Sequence, residues 1–248
     1  MGGQPEQGGT GARRPRYRRL SVEERRAQLL RTALSFFAHR DPEDVSLDEV
    51  AAEAEVSRPL VYRYFPGGKQ QLYEAALRSA AEALAGHFDE PEQGPLSLRL
   101  SRALDRYLEF VDRHDTGFAA LMRGGSVAET SRTTAIVDQT RRAASREVLR
   151  HLGATQPGSQ LRMMVRTWIS AVEAASLIWL DEGKRQPAEE LRDWLVDHFL
   201  VLLLATASRD EQTREVVDKA LELEERDGPV GRLLRGLAPS LERVGHLL

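Results

Sequence analysis

Apolar residues recur along this chain at three- and four-residue spacing almost throughout, the period of a helix with one buried face. Near the start, Leu30, Ala33, Leu34 and Phe37 fall at i, i+3, i+4 and i+7. The helix they mark is expected to begin at Ser21. Ser21 and Glu24 stand at capping-box spacing, where each side chain satisfies a backbone N–H that the helix leaves without a partner. Residues 39–43 break the pattern, with Pro42 as the stop signal. A second capping pair, Ser46 and Glu49, opens a helix whose inner face is Leu47, Val50, Ala51 and Ala54. After a turn at Glu55 and Val56, Ser57 caps a third helix. Pro59 is tolerated in its first turn, where N–H groups have no intrahelical acceptor. Pro66, Gly67 and Gly68 end that helix, and a fourth is expected from Lys69 to about Phe88.

Residues 89–95 (DEPEQGP) are the expected domain hinge. Beyond them the period predicts helices near 96–114, 117–123, 127–152, 158–183, 188–207 and 210–226, with a short one near 230–246. No segment alternates with period two and no repeat is visible. The expectation is an all-α protein. A helix-turn-helix three-helix domain covers residues 21–78 and a larger helical domain residues 79–248. A basic arm over residues 1–20 precedes them, its Gly- and Gln-rich start expected to be disordered.

Composition narrows the function classes. At 248 residues with 41% hydrophobic and 29% charged positions, the chain reads as an ordinary globular protein. The absence of cysteine excludes disulfides, Cys-ligated zinc, iron–sulfur clusters and thiol nucleophiles. The longest strongly apolar run, residues 199–207, is far short of the roughly 20 residues of a membrane span. The N-terminus lacks the apolar core of a secretory signal. A cytoplasmic protein without a membrane partner is therefore expected. His39, His87, His114, His151, His198 and His246 never pair at ligand spacing, so no metal is expected. Residues 123–126 (RGGS) are not a nucleophile elbow, and no phosphate-binding glycine loop occurs. Neither an enzyme nor a cofactor is expected. Net charge is only −3, but it is sorted: residues 41–57 hold seven acids and no base, between two basic stretches. Phosphate affinity depends on where charge sits, and this order suits a basic face with an acidic back.

The most informative segment is residues 46–73, SLDEVAAEAEVSRPLVYRYFPGGKQQLY. Two helices joined by a short turn pack at a steep angle over a small core, here Val50, Ala51, Ala54, Val56, Val61 and Phe65. The second helix then offers its N-terminal residues to base edges in the major groove. Ser57, Arg58, Pro59 and Leu60 would face bases, and only Arg58 can read guanine bidentately. Tyr62 and Tyr64 offer a hydroxyl to phosphate and a ring to a thymine methyl, and Arg63 is counted with them. Ser46 and Lys69 stand at helix N-termini, where dipole and charge favour a phosphate oxygen. Arg13, Arg14, Arg16, Arg18 and Arg19 of the arm would either enter the minor groove or add nonspecific phosphate attraction.

These residues resemble the DNA-binding domain of the TetR family of bacterial transcriptional regulators. The resemblance is carried by Val50-Ala51, Ala54, Val56-Ser57, Arg58, Val61-Tyr62, Tyr64-Phe65 and Lys69, within residues 21–78. It implies a two-domain, all-helical, dimeric architecture with an effector-responsive C-terminal domain. Two departures stand out. Glu55 occupies the usual turn glycine, where it must take the left-handed conformation or reshape the turn. One residue is also added before Lys69, in the run Pro66-Gly67-Gly68.

In the C-terminal two-thirds, Glu173 lies in an otherwise uncharged stretch, residues 167–180. A buried carboxylate needs a partner, which would be Arg166 seven residues earlier or a polar group on a ligand. The helices near 158–183 and 188–207 are the most apolar pair, and the first is apolar around most of its circumference. That suits a two-fold four-helix interface, with Trp179, Trp194, Leu195, His198 and Leu202 as its candidates; a single-chain core is the alternative. A pocket among the preceding helices would draw on Phe88, Tyr107, Phe110, Phe118, Leu121, Met122, Met163, Met164, Trp168 and Glu173. The resulting expectation is a homodimeric repressor released from double-stranded operator DNA by a small, largely apolar effector. An activator, or a regulator answering to a protein partner, fits the same residues. An all-helical enzyme with an incidental helix-turn-helix is the rival from another class.

Overall fold

The computed structural model describes residues 20–87, 91, 93–123 and 131–243. Arg13, Arg14, Arg16, Arg18, Arg19 and Phe88 lie outside the described residues, as do three positions of the expected hinge. Eleven α-helices and one 3-10 turn, Pro42–Asp44, make up the described structure, without a strand. The helices are α1 Val22–Phe37, α2 Leu47–Glu53, α3 Arg58–Tyr64, α4 Gly68–Ala85, α5 Leu96–Arg113 and α6 Asp115–Arg123. They continue with α7 Ser131–His151, α8 Ser159–Asp181, α9 Ala188–Ala207, α10 Glu211–Leu221 and α11 Pro229–Arg243.

Both capping boxes form. Ser21 Oγ accepts the Glu24 N–H and Ser46 Oγ the Glu49 N–H, while each glutamate accepts the cap residue's own N–H. Several ends differ from the sequence expectation. α4 stops at Ala85, where the Gly86 N–H turns back to Glu82 O and Leu84 O, and α10 stops at Leu221. Only His114 separates α5 from α6, and Pro239 lies inside α11.

Leu29, Ala33, Phe37, Val50, Ala51, Val61, Phe65, Leu72 and Ala76 bury one another between α1, α2, α3 and the first half of α4. Phe37 meets Tyr73 edge to face at 4.6 Å. α4 continues unbroken from this small core into the larger bundle and packs against α1, α6 and α7. α6 touches α1 as well as α4, α5 and α8, so α6 of the larger part rests on the small one. α9 lies among α5, α8, α10 and α11.

α8 is the one described helix long and apolar enough to cross a membrane by length and composition. It was not singled out by the longest apolar run because Arg162, Arg166 and Glu173 interrupt it. It packs against α7 and α9, and Trp168 Nε1 donates to Leu195 O at 3.0 Å, tying α8 to α9. α5 has no cap of its own at Pro95. Glu224, after α10, supplies one from a distance: its carboxylate accepts the Ser97 N–H at 2.8 Å and the Ser97 Oγ–H at 2.6 Å.

Candidate functional site

The α2–α3 corner is a complete Schellman turn. The Val56 N–H reaches Ala51 O and the Glu55 N–H reaches Ala52 O, closing the last carbonyls of α2. Glu55 takes φ 53°, so of the two alternatives it adopts the left-handed conformation and does not reshape the turn. Gln28 Nε2 from α1 donates to Ala54 O and fixes the corner against the first helix. α3 then has two faces. Val61 and Phe65 are buried, Leu60 and Tyr64 half-buried, and Ser57, Arg58, Pro59, Tyr62 and Arg63 exposed. Pro59 sits in the first turn without disturbing it, and Ser57 makes no capping bond with its side chain.

Two cations at this end of the molecule, Arg58 and Lys69, already have partners. Arg58 Nη1 lies 3.0 Å from Asp48 Oδ2 on α2, and its guanidinium stands 5.6 Å above the Tyr62 ring. Asp48 was not visible as a partner in the sequence, since ten residues and a turn separate the two. Lys69 Nζ donates to Glu43 O at 2.7 Å. The added glycine, Gly68, has φ 70° and opens α4, so it serves backbone conformation; a Cβ there would meet nothing nearer than Tyr62 at 3.9 Å. Behind the face, Glu49 accepts from Arg40 at 2.7 Å and from Ser46, and these bonds hold its pKa down at about 2.

A cavity of about 90 Å³ lies in the larger bundle. Its walls come from α4 (Leu84), α5 (Leu100, Leu104, Tyr107), α6 (Met122), α7 (Thr140, Arg141, Ala144, Val148) and α8 (Trp168, Ile169, Val172, Glu173). Of the sequence candidates, Tyr107, Met122, Trp168 and Glu173 line it. Phe110 and Phe118 do not; they are buried behind it, Phe110 stacked on His114 and Phe118 edge-on to Tyr107. Met163 and Met164 do not line it either. Consecutive residues of a helix point about 100° apart, so Met164 turns into the core while Met163 is 65% exposed, and neither forms the wall. The side chain of Leu121 lies outside the described residues.

Glu173 is not paired with Arg166, which is exposed and two turns, about 10 Å, along the axis. Arg141 reaches it from α7, with Nε 3.0 and 3.2 Å from the two carboxylate oxygens and Nη2 at 3.0 Å. Burial raises the Glu173 pKa while Arg141 works to lower it. Sequence reasoning missed Arg141 and Thr140 because α7 carries so many arginines that its inner face is hidden in the pattern.

The interface candidates divide. Trp194 and His198 are exposed with their rings 3.9 Å apart, and Leu202 is half-buried. Leu195 and Trp179 lie within the single chain's own core. Leu195 is wholly buried against α8, and Trp179 is buried with Nε1 donating to Gln186 O at 2.7 Å. The outer face of α8 supplies others that were missed: Met163, Thr167, Ser170, Ala171, Ala174 and Ile178 are all exposed and uncharged.

Residues 29–76 match the family described as bacterial regulatory proteins, tetR family, and residues 96–202 match the tetracyclin repressor-like C-terminal domain. A TetR-family transcriptional regulator from Streptomyces coelicolor is 49% identical. The likeness covers 89% of this chain and 99% of that one, with a TM-score of 0.79. The chain belongs to the TetR family. It is therefore a DNA-binding transcriptional regulator, and α2–α3 is its helix-turn-helix. The C-terminal match spans every cavity wall residue except Leu84. This TetR-family regulator is also 29% identical over 113 residues to the HTH-type transcriptional activator FasR of Mycolicibacterium smegmatis. That match takes in 45% of this chain and 51% of FasR, so it spans about half the length of that relative. FadR of Bacillus subtilis, solved with stearoyl-CoA, is 10% identical with a TM-score of 0.59 over 70% of this chain and 96% of its own, and shares the fold.

Proposed function

We propose that this regulator works as a homodimeric repressor. Two copies of α3 hold an operator, and a small, largely apolar effector in the cavity lowers operator affinity. The observation that carries this reading is the course of α4. Its first turn follows α3 and holds Lys69, and Leu84 near its other end forms part of the cavity wall. An 18-residue helix is rigid over about 27 Å, so a shift at one end is felt at the other. The cavity is smaller than the roughly 300–1,000 Å³ of a drug-sized site. A ligand that widens it by displacing α4 or α6 moves a helix that rests on α1. A coupling of about 1–3 kcal/mol changes affinity roughly 5–150-fold, enough for release.

The DNA-contacting set is Ser46, Ser57, Arg58, Pro59, Leu60, Tyr62, Arg63, Tyr64 and Lys69, with the arm arginines added from residues 1–20. Arg58 exchanges Asp48 for a base edge on binding. Dimerisation uses the uncharged outer face of α8 with Trp194, His198 and Val201 of α9. It sets two reading heads for half-sites about 34–36 Å apart. The domain division is 21–78 for DNA and 79–248 for effector and dimer, joined through α4.

Thermal-shift screening of apolar compounds finds the effector, since a ligand at 100 times its Kd stabilises by about 2.7 kcal/mol. Gel shift then tests the mechanism with Ala144→Trp, which fills the cavity. The variant should bind operator and ignore the effector, whereas a response as large as that of the wild type would overturn the cavity as the effector site. The FasR relative is an activator, which favours activation as a second reading. Deleting the gene decides the direction: target transcripts should rise for a repressor and fall for an activator.

A further inference from the structure

The cavity wall is apolar except for four side chains: Tyr107, Thr140, Arg141 and Glu173. Two of the four are committed to each other, because Arg141 places three nitrogen–oxygen contacts of 3.0–3.2 Å on the Glu173 carboxylate. Their charges cancel, and Glu173 is the more deeply buried partner. Thr140 Oγ1 donates to Ile136 O within its own helix. Tyr107 differs from all of these. Its hydroxyl is buried and has no hydrogen-bond partner. Ser176 on α8 gives its own proton to Val172 O, and its remaining lone pairs meet the phenol only at a geometry too poor for a hydrogen bond. Burial pushes the phenol pKa well above its ordinary value, with Ser176 opposing and Glu173 adding to the rise, so the group remains a proton donor. A buried donor left without an acceptor is costly to the fold, and a ligand acceptor recovers that cost on binding.

We infer that the cavity selects an uncharged, compact, apolar ligand whose carbonyl or hydroxyl oxygen accepts a hydrogen bond from Tyr107, while the Arg141–Glu173 pair turns anions away. This rests on the cavity being the effector site. An anionic ligand meets a carboxylate whose only strong cation is already used, and stripping Arg141 from Glu173 would leave a buried charge unpaired. A hydrocarbon of the same shape fits the wall but leaves the hydroxyl as it was. The ligand class is thus set by one donor and one neutralised ion pair.

Three probes of nearly one shape test the idea on the full-length protein: acetophenone, α-methylstyrene and benzoate. Affinities are read by thermal shift and calorimetry. In the wild type, acetophenone should bind about ten-fold more tightly than α-methylstyrene, in line with one recovered hydrogen bond, and benzoate should not bind. In Tyr107→Phe the two neutral probes should become equal. That variant should melt no lower than the wild type without ligand, since it removes an unsatisfied group; a lower melting temperature would mark Tyr107 as structural. Glu173→Gln leaves Arg141 unneutralised and should admit benzoate. Equal binding of both neutral probes in the wild type, or no acetophenone binding, would overturn the inference, as would benzoate binding more tightly than acetophenone. The underlying site is checked separately with Ala144→Trp. Undiminished acetophenone binding there would place the probe elsewhere and defeat the cavity reading itself.

Discussion

At Glu55 a side chain sits where the backbone favours glycine. Its φ of 53° closes the turn between α2 and α3, and the left-handed conformation costs a non-glycine residue about 1–2 kcal/mol. Glu55→Gly should therefore stabilise the protein by about 1 kcal/mol and raise the melting temperature by about 2–4 °C; a lower melting temperature would contradict the strained turn. Glu49 sets an acid limit for the same corner. Arg40 and Ser46 hold its pKa at about 2 in the fold, against an ordinary value of 4.5. A depressed carboxylate stabilises fully above its unfolded pKa and loses that contribution as pH falls toward the folded value. Denaturant midpoints should thus fall between pH 4.5 and 2 more steeply in the wild type than in Glu49→Gln. Parallel curves would show that the Arg40–Glu49 pair contributes nothing. Both sites were half legible in the sequence. Capping spacing marks Ser46 and Glu49, and a missing glycine marks Glu55, because these are local backbone requirements. The Arg40 partner of Glu49 and the Asp48 partner of Arg58 come from the way α1, α2 and α3 cross, which no local spacing encodes.

Among the elements, α4 runs from the DNA-binding part to the cavity and α5 forms part of the cavity wall. α5 lines the cavity, and its N-terminus is capped by Glu224, 127 residues away. Glu224→Ala should cost about 0.5–2 kcal/mol, the usual worth of a helix cap, measured by urea denaturation; an unchanged midpoint would make the contact incidental. Periodicity located nearly every helix, since each buries one stripe. It located the cavity poorly. Arg141 belongs to a run of arginines on α7 that reads as a solvated surface, yet it turns inward to Glu173. Met163 and Met164 read alike, and only the helix phase separates an outer position from a buried one. The most apolar pair, α8 and α9, was recognisable, but its apolar residues serve two contacts. Leu195 and Trp179 join α8 and α9 within one chain, leaving Met163, Ile178, Trp194 and Val201 outside.

For the whole molecule, those four apolar side chains are exposed on helices whose other sides are packed. Ile178→Glu combined with Val201→Glu should convert the proposed dimer to monomer in sedimentation velocity and weaken operator binding by at least ten-fold, with the helical content kept. A dimer that survives both charges would move the interface elsewhere. The central claim is that the face formed by Arg58, Tyr62 and their neighbours reads a defined DNA sequence. The most direct measurement is fluorescence anisotropy of the DNA upstream of the protein's own gene, against a scrambled duplex, between about 50 and 200 mM salt. The predicted result is tight, salt-sensitive binding to the upstream duplex, at least a thousand-fold weaker for the scrambled one, with discrimination lost in Arg58→Ala. Equal affinity for both duplexes, or discrimination undiminished in Arg58→Ala, would contradict it.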